Sequence, residues 1–455
     1  MTEIPQPIPG APSASGECIE HPMQLLTGWI NPATERELVT LRRDIHREPE
    51  PGWAEFISTA RLAKYFRRAG FEVRYGPEFI RDDLIRGRDM AETRRGIARA
   101  KAAGIDAETL ERMGSIPGLL AVWDSGRPGK TVAIRVELDA VYVDEPKTAG
   151  HIPAEKGFAS RRRGLMHACG HDAHQAAAAH LARFVHANAG RLDGKVMFLC
   201  QPAEEGSRGA YPIVQSGALD GVDVLLCAHV AVDIPAGTVV AAPEKFLCTT
   251  KIDLEFTGTP SHAGMQPQLG RNALLAAANV AVNLMALPRH ADGMTRVNVG
   301  SLHAGEGRNI VPSHAVMEVE VRGENEAINR DLAREALERA SGMAAAFGVK
   351  LRHSIVGEAV DFVPDDSIAQ LITVCARRAR YCRTIEPEHA ANSSDDGTLL
   401  MRRVQEQGGR AGYFMVGGAF PGRAASAAVD FDEHAVVTLY DIYANLIIAL
   451  LGRWN

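Results

Sequence analysis

The alternation of apolar runs with helical segments is the feature that most constrains the fold of this chain. Three runs of the β type, at residues 130–141, 195–205 and 222–230, are rich in Val, Ile and Leu, and the helix-like stretch AHQAAAAHLARFVHAN separates the first two. Near-continuous apolar strands that alternate with helices are typical of a mostly parallel sheet covered by helices on both faces. We therefore predict an α/β domain built on a mixed, mostly parallel sheet flanked by helices.

A second unit interrupts this pattern between about residues 246 and 354. It begins with the strand-like TTKIDLEFTG, ends with the strand-like VKLRHSIVG, and contains a helix, two strands and a helix between them. This β-α-β-β-α-β order is that of a ferredoxin-like sandwich. Because 455 residues are too many for one compact core, we predict an α/β domain at 37–245 and 355–455 with an inserted ferredoxin-like α+β domain at 246–354.

Two further segments lie outside this plan. Residues 1–36 are rich in Pro, Ser and Gly and have neither the basic start nor the long apolar stretch of a signal peptide. We predict that they form a flexible or docking extension. Residues 78–116 are densely charged and helix-prone, which predicts a solvated helical insertion in the α/β domain.

The amino-acid composition indicates which classes of binding partner and which cellular compartment to expect. The formal net charge is -6 and no basic block is interleaved with aromatic residues, which disfavours nucleic acid and acidic membrane surfaces as partners. No apolar run approaches the length of a membrane span. The seven cysteines are scattered, and two of them lie inside apolar runs as buried thiols do. We therefore expect a reduced, cytoplasmic protein.

The stretch MHACGHDAH, residues 166–174, contains three histidines, a cysteine and an aspartate within nine positions. Cys169 and His171 are residue types that bind metals, but a Cys-x-His pair is too short to be half of a zinc finger. The remaining ligands must come from elsewhere in the chain. On spacing alone, a metal site and a polar loop with ordinary histidines are equally good interpretations.

Polar residues near the ends of the three predicted strands supply candidate partners. Glu137 and Asp139 lie near the end of the first run, Glu204 and Glu205 end the second, and His229 ends the third. Catalytic groups collect at the carboxyl ends of strands in open α/β sheets. One glutamate of the adjacent pair can bind zinc or manganese while the other stays free as a general base toward water, whose pKa a metal lowers from about 15.7 to about 7. For the pair on the first run, a structural role is an equally good interpretation.

Seven motifs together resemble one known family. RRDIHREPEPGWAEF, RVELDAV, MHACGHDAH, QPAEEG, AHV followed by PAGTV, GTPSHAG and GRNIVP occur in the order seen in the co-catalytic metallo-amidohydrolases, the family of hippurate and auxin-conjugate hydrolases. The resemblance covers nearly all of residues 38–450. The charged insertion, DSGRPG and DFDE are most similar to the aminobenzoyl-glutamate hydrolase branch. This resemblance favours the metal site over the polar loop.

The resemblance implies roles for individual residues of the α/β domain. The positions that match metal ligands are Cys169, His171, Glu205 and His229. Glu204 matches the general base that takes a proton from water and passes it to the leaving nitrogen. His167, Asp172 and His174 are better interpreted as outer partners of metal-bound side chains, which such ligands usually need, or as groups at the start of a helix.

Three residues of the inserted domain match functional positions of the family. His262 matches the residue that reaches into the partner's active site and stabilises the oxyanion. Asn309 and Arg322 match residues that hold the substrate. The inserted domain is therefore expected to be a lid and dimerisation domain, and the protein a homodimer or a larger assembly of dimers.

The sequence departs from the family at the last metal ligand. Members carry a histidine seven positions before the aspartate of the final DE pair, and that position here is Ala425. The usual GSED segment is SSDD at 393–396. His434 is a poor replacement because it starts the last predicted helix. We therefore predict one firmly bound Mn or Zn ion that is held mainly by Cys169, His171 and His229, with Glu205 either poorly partnered or recruited to the same ion.

Three functions are open at this point. The first is hydrolysis of an aminobenzoyl-glutamate-like amide, and the second is hydrolytic removal of an aromatic amine, because the resemblance extends to a 5-nitroanthranilate aminohydrolase. The third is a non-catalytic metal and ligand binder. The segment SRRRG at 160–164 could place an arginine near a substrate carboxylate, although a solvated loop is an alternative.

Overall fold

The computed structural model describes residues 30–420 and 430–453, and within them twelve strands form two sheets. The strands are β1 (Glu72–Tyr75), β2 (Leu119–Asp124), β3 (Thr131–Glu137), β4 (Lys195–Gln201), β5 (Val224–Pro235), β6 (Thr238–Glu244), β7 (Cys248–Thr257), β8 (Thr295–Ala304), β9 (His314–Gly323), β10 (Lys350–Ala359), β11 (Thr384–Ala390) and β12 (Arg410–Ala419). The α-helices in the same residues are α1 (Pro32–His46), α2 (Phe56–Arg68), α3 (Met90–Ala102), α4 (Ala107–Met113), α5 (Ile152–Glu155), α6 (His171–Ala187), α7 (Ala210–Val214), α8 (Ala273–Met285), α9 (Glu326–Ala346), α10 (Asp366–Ala376), α11 (Gly397–Glu406) and α12 (His434–Leu451).

The large sheet has the strand order β1-β2-β4-β3-β5-β12-β6-β11. Its centre, β4-β3-β5-β12, is parallel, and antiparallel pairs occur at β1-β2, β2-β4 and β12-β6. Alternate residues of β3 belong to different apolar clusters, with Val132 and Ile134 on one face and Ala133 on the other. Helices α1, α2, α6, α10 and α12 cover the first face, and α7 and α11 cover the second. The prediction of a mixed, mostly parallel sheet flanked by helices is confirmed.

The small sheet has the order β10-β7-β9-β8 with every pair antiparallel, and α8 and α9 pack on one of its faces. Numbered along the chain, the strands lie in the order 4-1-3-2 of a ferredoxin-like sandwich, which agrees with the predicted β-α-β-β-α-β order. The last strand continues to Ala359, past the predicted boundary at residue 354.

The predicted N-terminal extension is too long at its carboxyl end. Ile30 is buried, α1 begins at Pro32, and Glu35 accepts a hydrogen bond from the Tyr381 hydroxyl at 2.8 Å. Residues 30–36 therefore belong to the folded body, because an apolar side chain and a helix start at this point. Residues 1–29 lie outside the described part of the chain.

The charged insertion contains α3 and α4 and is less solvated than predicted. Gly96 and Ala100 of α3 are buried, and Thr93 Oγ1 donates to the Trp53 carbonyl at 3.1 Å. One helix face packs on the body of the domain, since small residues at this spacing let the helix approach closely. Arg94 and Arg95 of the same helix are exposed.

Helix α12 qualifies the expectation that no segment approaches a membrane span. By length and composition alone its 18 residues could cross a membrane, but 83% of the helix is buried inside the fold. Its apolar residues pack with α6 and β12 in the main core. This burial is what a core helix of a large α/β domain requires.

Strand β5 is longer than predicted, and this changes the position of His229. The last β3-β5 pair is Ile134 with Leu226, whereas β5 continues to pair with β12 as far as Pro235. His229 therefore lies inside a strand rather than at its end, and the expectation of a strand end there is wrong. It nevertheless lies beyond Leu226, the last residue of β5 that pairs with β3.

Candidate metal centre and active site

A cavity of about 580 Å³ lies beyond the carboxyl ends of β3 and β4. Its wall contains Cys169, Glu204, Glu205 and His229, four of the residues that the sequence singled out. The rest of its lining is more apolar than polar. The apolar residues are Val141, Ala168, Val230, Ala231, Val232, Ile234, Ala391 and Met415, and the further polar residues are Asp233, His389, Ser393, Ser394, Asp395 and Tyr413. A cavity of this size and composition fits a small aromatic molecule.

Three predicted metal ligands converge at this cavity. The ligand atoms of Cys169, His171 and Glu205 all lie within 4.8 Å of one another. Two of these atoms, His171 Nε2 and Glu205 Oε1, are buried and lack a hydrogen-bond partner. Buried polar atoms without partners are costly, so this donor set fits a bound cation with thiolate, imidazole and carboxylate ligands.

Hydrogen bonds set the tautomers of the two candidate histidine ligands. His171 Nδ1 donates to the Asp139 carbonyl at 2.8 Å, and His229 Nδ1 donates to the Val230 carbonyl at 2.7 Å. Because a carbonyl only accepts, Nδ1 carries the proton and Nε2 keeps a free lone pair in both rings. The His229 ring centroid lies 5.6 Å from that of His171, so His229 adjoins the three-ligand cluster without being part of it.

Asp139 organises the loop that carries the two glutamates. Its carboxylate accepts the backbone N–H groups of Glu204 and Glu205 at 3.1 and 2.9 Å. Since the Asp139 carbonyl also holds His171, one residue after β3 orients both the loop and a candidate ligand. This supports the structural interpretation of Asp139. Glu204 Oε2 then lies 3.8 Å from His171 Nε2.

The buried groups of the site carry an excess of negative charge. Burial and neighbouring carboxylates raise the pKa of Glu204 well above its usual range, and burial raises that of Asp139 to about 6 and that of Asp396 to about 7. Burial and then Glu205 raise the pKa of the Cys169 thiol. A divalent cation would reverse these effects, because it favours the deprotonated forms of all four groups.

The sequence reading missed a buried ion cluster on Arg135. Arg135 donates to Glu137, Asp395 and Asp396 at 2.6 to 3.0 Å, and Tyr413 donates to Asp395 at 2.8 Å. The signal was an arginine inside the apolar run KTVAIRVELDAV with a glutamate two residues later, because residues i and i+2 share a face of a strand.

Asp395 and Asp396 lie near Glu204, with oxygens of all three within 4.8 Å of one another. All four oxygens of the two aspartates already accept hydrogen bonds or ion pairs, from Arg135, Tyr413, Gln201 and the backbone N–H groups of 209, 210 and 397. Saturated acceptors are poor metal ligands. Asp395 lines the cavity and Asp396 does not, and both therefore support the site rather than bind an ion.

The other polar residues of MHACGHDAH have different environments. His174 Nδ1 donates to Glu137 at 2.8 Å, while its Nε2 accepts the Val230 N–H at 3.1 Å, so neither nitrogen is free for a metal. Asp172 pairs with Arg42 and His46 at 2.7 and 2.8 Å. His167 is buried with both ring nitrogens unpartnered, and burial lowers its pKa to about 3.

His262, Asn309 and Arg322 lie on the inserted domain and away from this cavity. His262 is exposed and its Nδ1 accepts the backbone N–H groups of 264 and 265, Asn309 is exposed, and Arg322 pairs with Glu320 at 2.9 Å. None of the three lines the cavity within the described residues.

Three other candidates from the sequence can be placed as follows. None of the three arginines of SRRRG lines the cavity; Arg161 is exposed and pairs with Glu48 at 3.0 Å, whereas Arg162 is partly buried. His434 is exposed and packs on Tyr381 with ring centroids 4.0 Å apart, outside the cavity. Ala425 lies outside the described residues.

Comparisons with known proteins identify the family and several relatives of this chain. The sequence model of peptidase family M20/M25/M40 matches residues 133–449. A homolog of p-aminobenzoyl-glutamate hydrolase from Haemophilus influenzae is 44% identical over 417 residues, which covers 91% of this chain and 99% of the relative. Indole-3-acetyl-aspartic acid hydrolase of Enterobacter agglomerans is 38% identical over 425 residues, which covers 93% and 97%. Among solved structures, aminobenzoyl-glutamate utilization protein from Klebsiella pneumoniae has a TM-score of 0.79 at 34% identity and covers 91% of this chain and 96% of its own.

Proposed function

The chain belongs to peptidase family M20/M25/M40, and from this membership and its cavity we propose that it is a metal-dependent amidohydrolase of small aromatic carboxylate conjugates. The observation that carries the proposal is Glu204, placed beside the cluster of Cys169, His171 and Glu205 in a largely apolar cavity. The relatives act by name on aminobenzoyl-glutamate and indole-3-acetyl-aspartic acid. Both compounds join an aromatic acyl group to an acidic amino acid, which favours amide hydrolysis over removal of an aromatic amine and over a non-catalytic binder.

The donor set fits manganese or zinc. Cys169, His171 and Glu205 would hold the ion, with His229 beside them. When bound, such an ion polarises the substrate carbonyl and makes water more acidic. We propose one firmly bound ion per chain, because Ala425 stands where the resemblance expects a further histidine ligand and a methyl group cannot coordinate a metal.

Glu204 is the proposed general base. Its carboxylate lines the cavity, and the Asp139 carboxylate fixes the Glu204 backbone. A carboxylate held in this way can take a proton from the attacking water and release it to the leaving nitrogen. In this scheme Asp139 orients the base, and it also holds the His171 ring through its carbonyl.

The lining of the cavity suggests which groups of the protein would bind the aromatic ring and which would bind the carboxylate of a substrate. The apolar wall, which includes Val230, Ile234 and Met415, suits an aromatic ring. No Lys or Arg is present among the described residues of the lining, whereas four carboxylates are. A substrate carboxylate therefore needs a positive group from outside the cavity, and Arg322, with Asn309, is the proposed source.

We further propose a homodimer or larger assembly in which His262, Asn309 and Arg322 complete the partner's site. The three residues lie away from the cavity of their own chain. The second domain also exposes apolar side chains, among them Met265 and Val282. Most of the exposed large apolar side chains in the described residues lie on this domain, and such a concentration is typical of an association surface. Together these features support an active site that needs two chains.

Complementation between protomers tests this arrangement. Glu204→Gln and His262→Ala are each expected to be nearly inactive alone. Co-expression should restore roughly a quarter of wild-type activity, because about half of randomly formed dimers are mixed and each mixed dimer has one complete site. Co-expression of Glu204→Gln with Glu205→Gln, which both damage the same site, is the matched control and should restore nothing. No recovery in the first mixture would contradict the proposed exchange of His262.

Product analysis tests the reaction itself. The metal-loaded protein is incubated with an aminobenzoyl-glutamate-type amide and, separately, with an electron-poor anthranilate, and the products are identified by mass spectrometry. We expect the free aromatic acid and free amino acid from the amide. Ammonia and a phenol from the anthranilate, with no amide cleavage, would instead identify an aryl-amine hydrolase. Absence of both products would indicate a binding protein.

We also propose a cytoplasmic location. The six cysteines in the described part of the chain are free, and Cys200, Cys227 and Cys375 are buried in the apolar cores. This use of cysteine fits a reducing compartment.

A further inference from the structure

The loop that carries Glu204 and Glu205 has a backbone that an ordinary residue adopts only at a cost. Ala203, directly before Glu204, has φ 53°, in the left-handed region that Cβ-bearing residues avoid. Ala203 is fully buried. Residues in such conformations persist when their surroundings fix them. The contacts of Ala203 therefore determine the direction in which the next residue, Glu204, leaves the loop.

Glu55 makes one of these contacts. It is fully buried at the start of α2, and its Oε1 accepts the Ala203 backbone N–H at 2.7 Å. Its second oxygen, Oε2, is buried without a hydrogen-bond partner. On the other side, a Cβ added to Gly52 would lie 3.1 Å from the Ala203 Cα and Cβ. The segment before α2 thus both bonds and packs against the left-handed residue.

Three successive N–H groups of the loop are held by two buried carboxyl groups. Glu55 holds that of Ala203, and Asp139 holds those of Glu204 and Glu205. Glu55 itself does not line the cavity, so it does not touch a substrate there. A buried carboxyl group with one unpartnered oxygen is unfavourable. The hydrogen bond to Ala203 explains why a carboxyl group is present at this position.

We propose that Glu55 is a positioning residue that holds Ala203 in the left-handed conformation and thereby aims the Glu204 carboxylate into the cavity. The inference rests on the proposed function for the role of Glu204. It adds that the direction of the base is set from a helix start 148 residues earlier in the sequence than Ala203.

Three variants test the inference by steady-state kinetics on the amide substrate. Glu55→Met removes the acceptor and is expected to lower kcat by about 100-fold with KM changed by less than about twofold, because the base is misplaced rather than the substrate site. Glu55→Gln keeps an acceptor oxygen and should stay within about threefold of wild type. Adding Ala203→Gly to Glu55→Met should recover about tenfold in kcat, because glycine adopts positive φ without the penalty.

Equal losses in Glu55→Gln and Glu55→Met, or no recovery with Ala203→Gly, would overturn the inference. Should Glu55→Met fail to fold, Glu55→Asp withdraws the acceptor by one methylene and is judged by the same criteria.

Hydrogen exchange gives a test that does not depend on activity. The Ala203 amide should exchange at least about tenfold faster in Glu55→Met than in wild type and remain protected in Glu55→Gln. Unchanged exchange in Glu55→Met would overturn the inference even if the wild type hydrolysed no amide. An inactive wild type, by contrast, would count against the proposed function alone.

Discussion

Glu204→Gln is expected to lower kcat for an aromatic amide by about 10²–10⁴-fold, the range typical of a lost general base. The amide has nearly the same shape as the carboxylate but cannot take a proton from water. Because the Asp139 carboxylate holds the backbone of residue 204 rather than its side chain, the loop should keep its conformation. KM should therefore change little. Single-turnover and steady-state kinetics on one substrate measure both quantities.

The neighbouring glutamate provides the matched control. Glu205→Gln removes a carboxylate whose buried Oε1 has no hydrogen-bond partner and belongs to the three-ligand cluster. This variant should lose metal, whereas Glu204→Gln should retain the wild-type content, close to one ion per chain. Metal analysis of the purified proteins distinguishes the two residues. Equal metal loss in both variants would contradict the separation of base and ligand, and two firmly bound ions in the wild type would contradict the one-metal proposal.

The sequence predicted most of the architecture, because the periodicity of apolar residues and the order of helices and strands indicate the fold class. The β-α-β-β-α-β order gave the small sheet with its 4-1-3-2 arrangement, and the apolar runs gave the parallel centre of the large sheet. The ends of individual strands were not predictable in the same way. His229 was expected at a strand end, but pairing with β12 extends β5 to Pro235. Which neighbour continues a strand is a tertiary property that an apolar run does not encode.

The candidate ligands were predictable from residue type, whereas the groups that orient them were not. Cys169, His171 and Glu205 are conspicuous in sequence and do converge. Glu55 and Arg135 act through contacts with residues 148 and 260 positions away. The apolar run of β3 shows a buried arginine but not its distant partner Asp395, and no neighbouring residue in the sequence indicates the contact of Glu55 with Ala203. The supporting groups of this site become visible only when the chain is folded.

Arg135 illustrates why these supporting groups matter for stability. Its guanidinium is fully buried and pairs with the carboxylates of Glu137, Asp395 and Asp396. Replacing one partner of a buried ion cluster leaves the others uncompensated, which typically costs about 3–5 kcal/mol. Arg135→Met removes the charge and keeps much of the side-chain length. We expect the free energy of unfolding to fall by about that amount, or the variant to be insoluble.

The pH dependence of this loss gives a sharper test than its size. Although burial opposes ionisation of Glu137 and Asp395, Arg135 holds the pKa of both carboxyl groups below the usual range. Groups with lowered pKa in the folded state contribute stability above their unfolded pKa of about 4, and this contribution disappears as the pH falls through the folded value. The advantage of wild type over Arg135→Met should therefore be larger at about pH 8 than at about pH 5, because protonation in the variant relieves the uncompensated charge.

A variant of a surface arginine is the control that distinguishes the effect of burial on stability from the effect of ion pairing itself. Arg183 pairs with Glu37 at 2.6 Å, and both side chains are 54% exposed. Arg183→Met should cost less than about 1 kcal/mol, as exposed pairs usually do. Urea unfolding of the three proteins at both pH values, with the m-value checked for constancy, measures the differences. Two outcomes would contradict the supporting role of the cluster near Glu204. The first is a loss in the free energy of unfolding for Arg135→Met that equals the loss for Arg183→Met, and the second is a loss that does not depend on pH. Either would show that the buried carboxylates do not need the Arg135 cation.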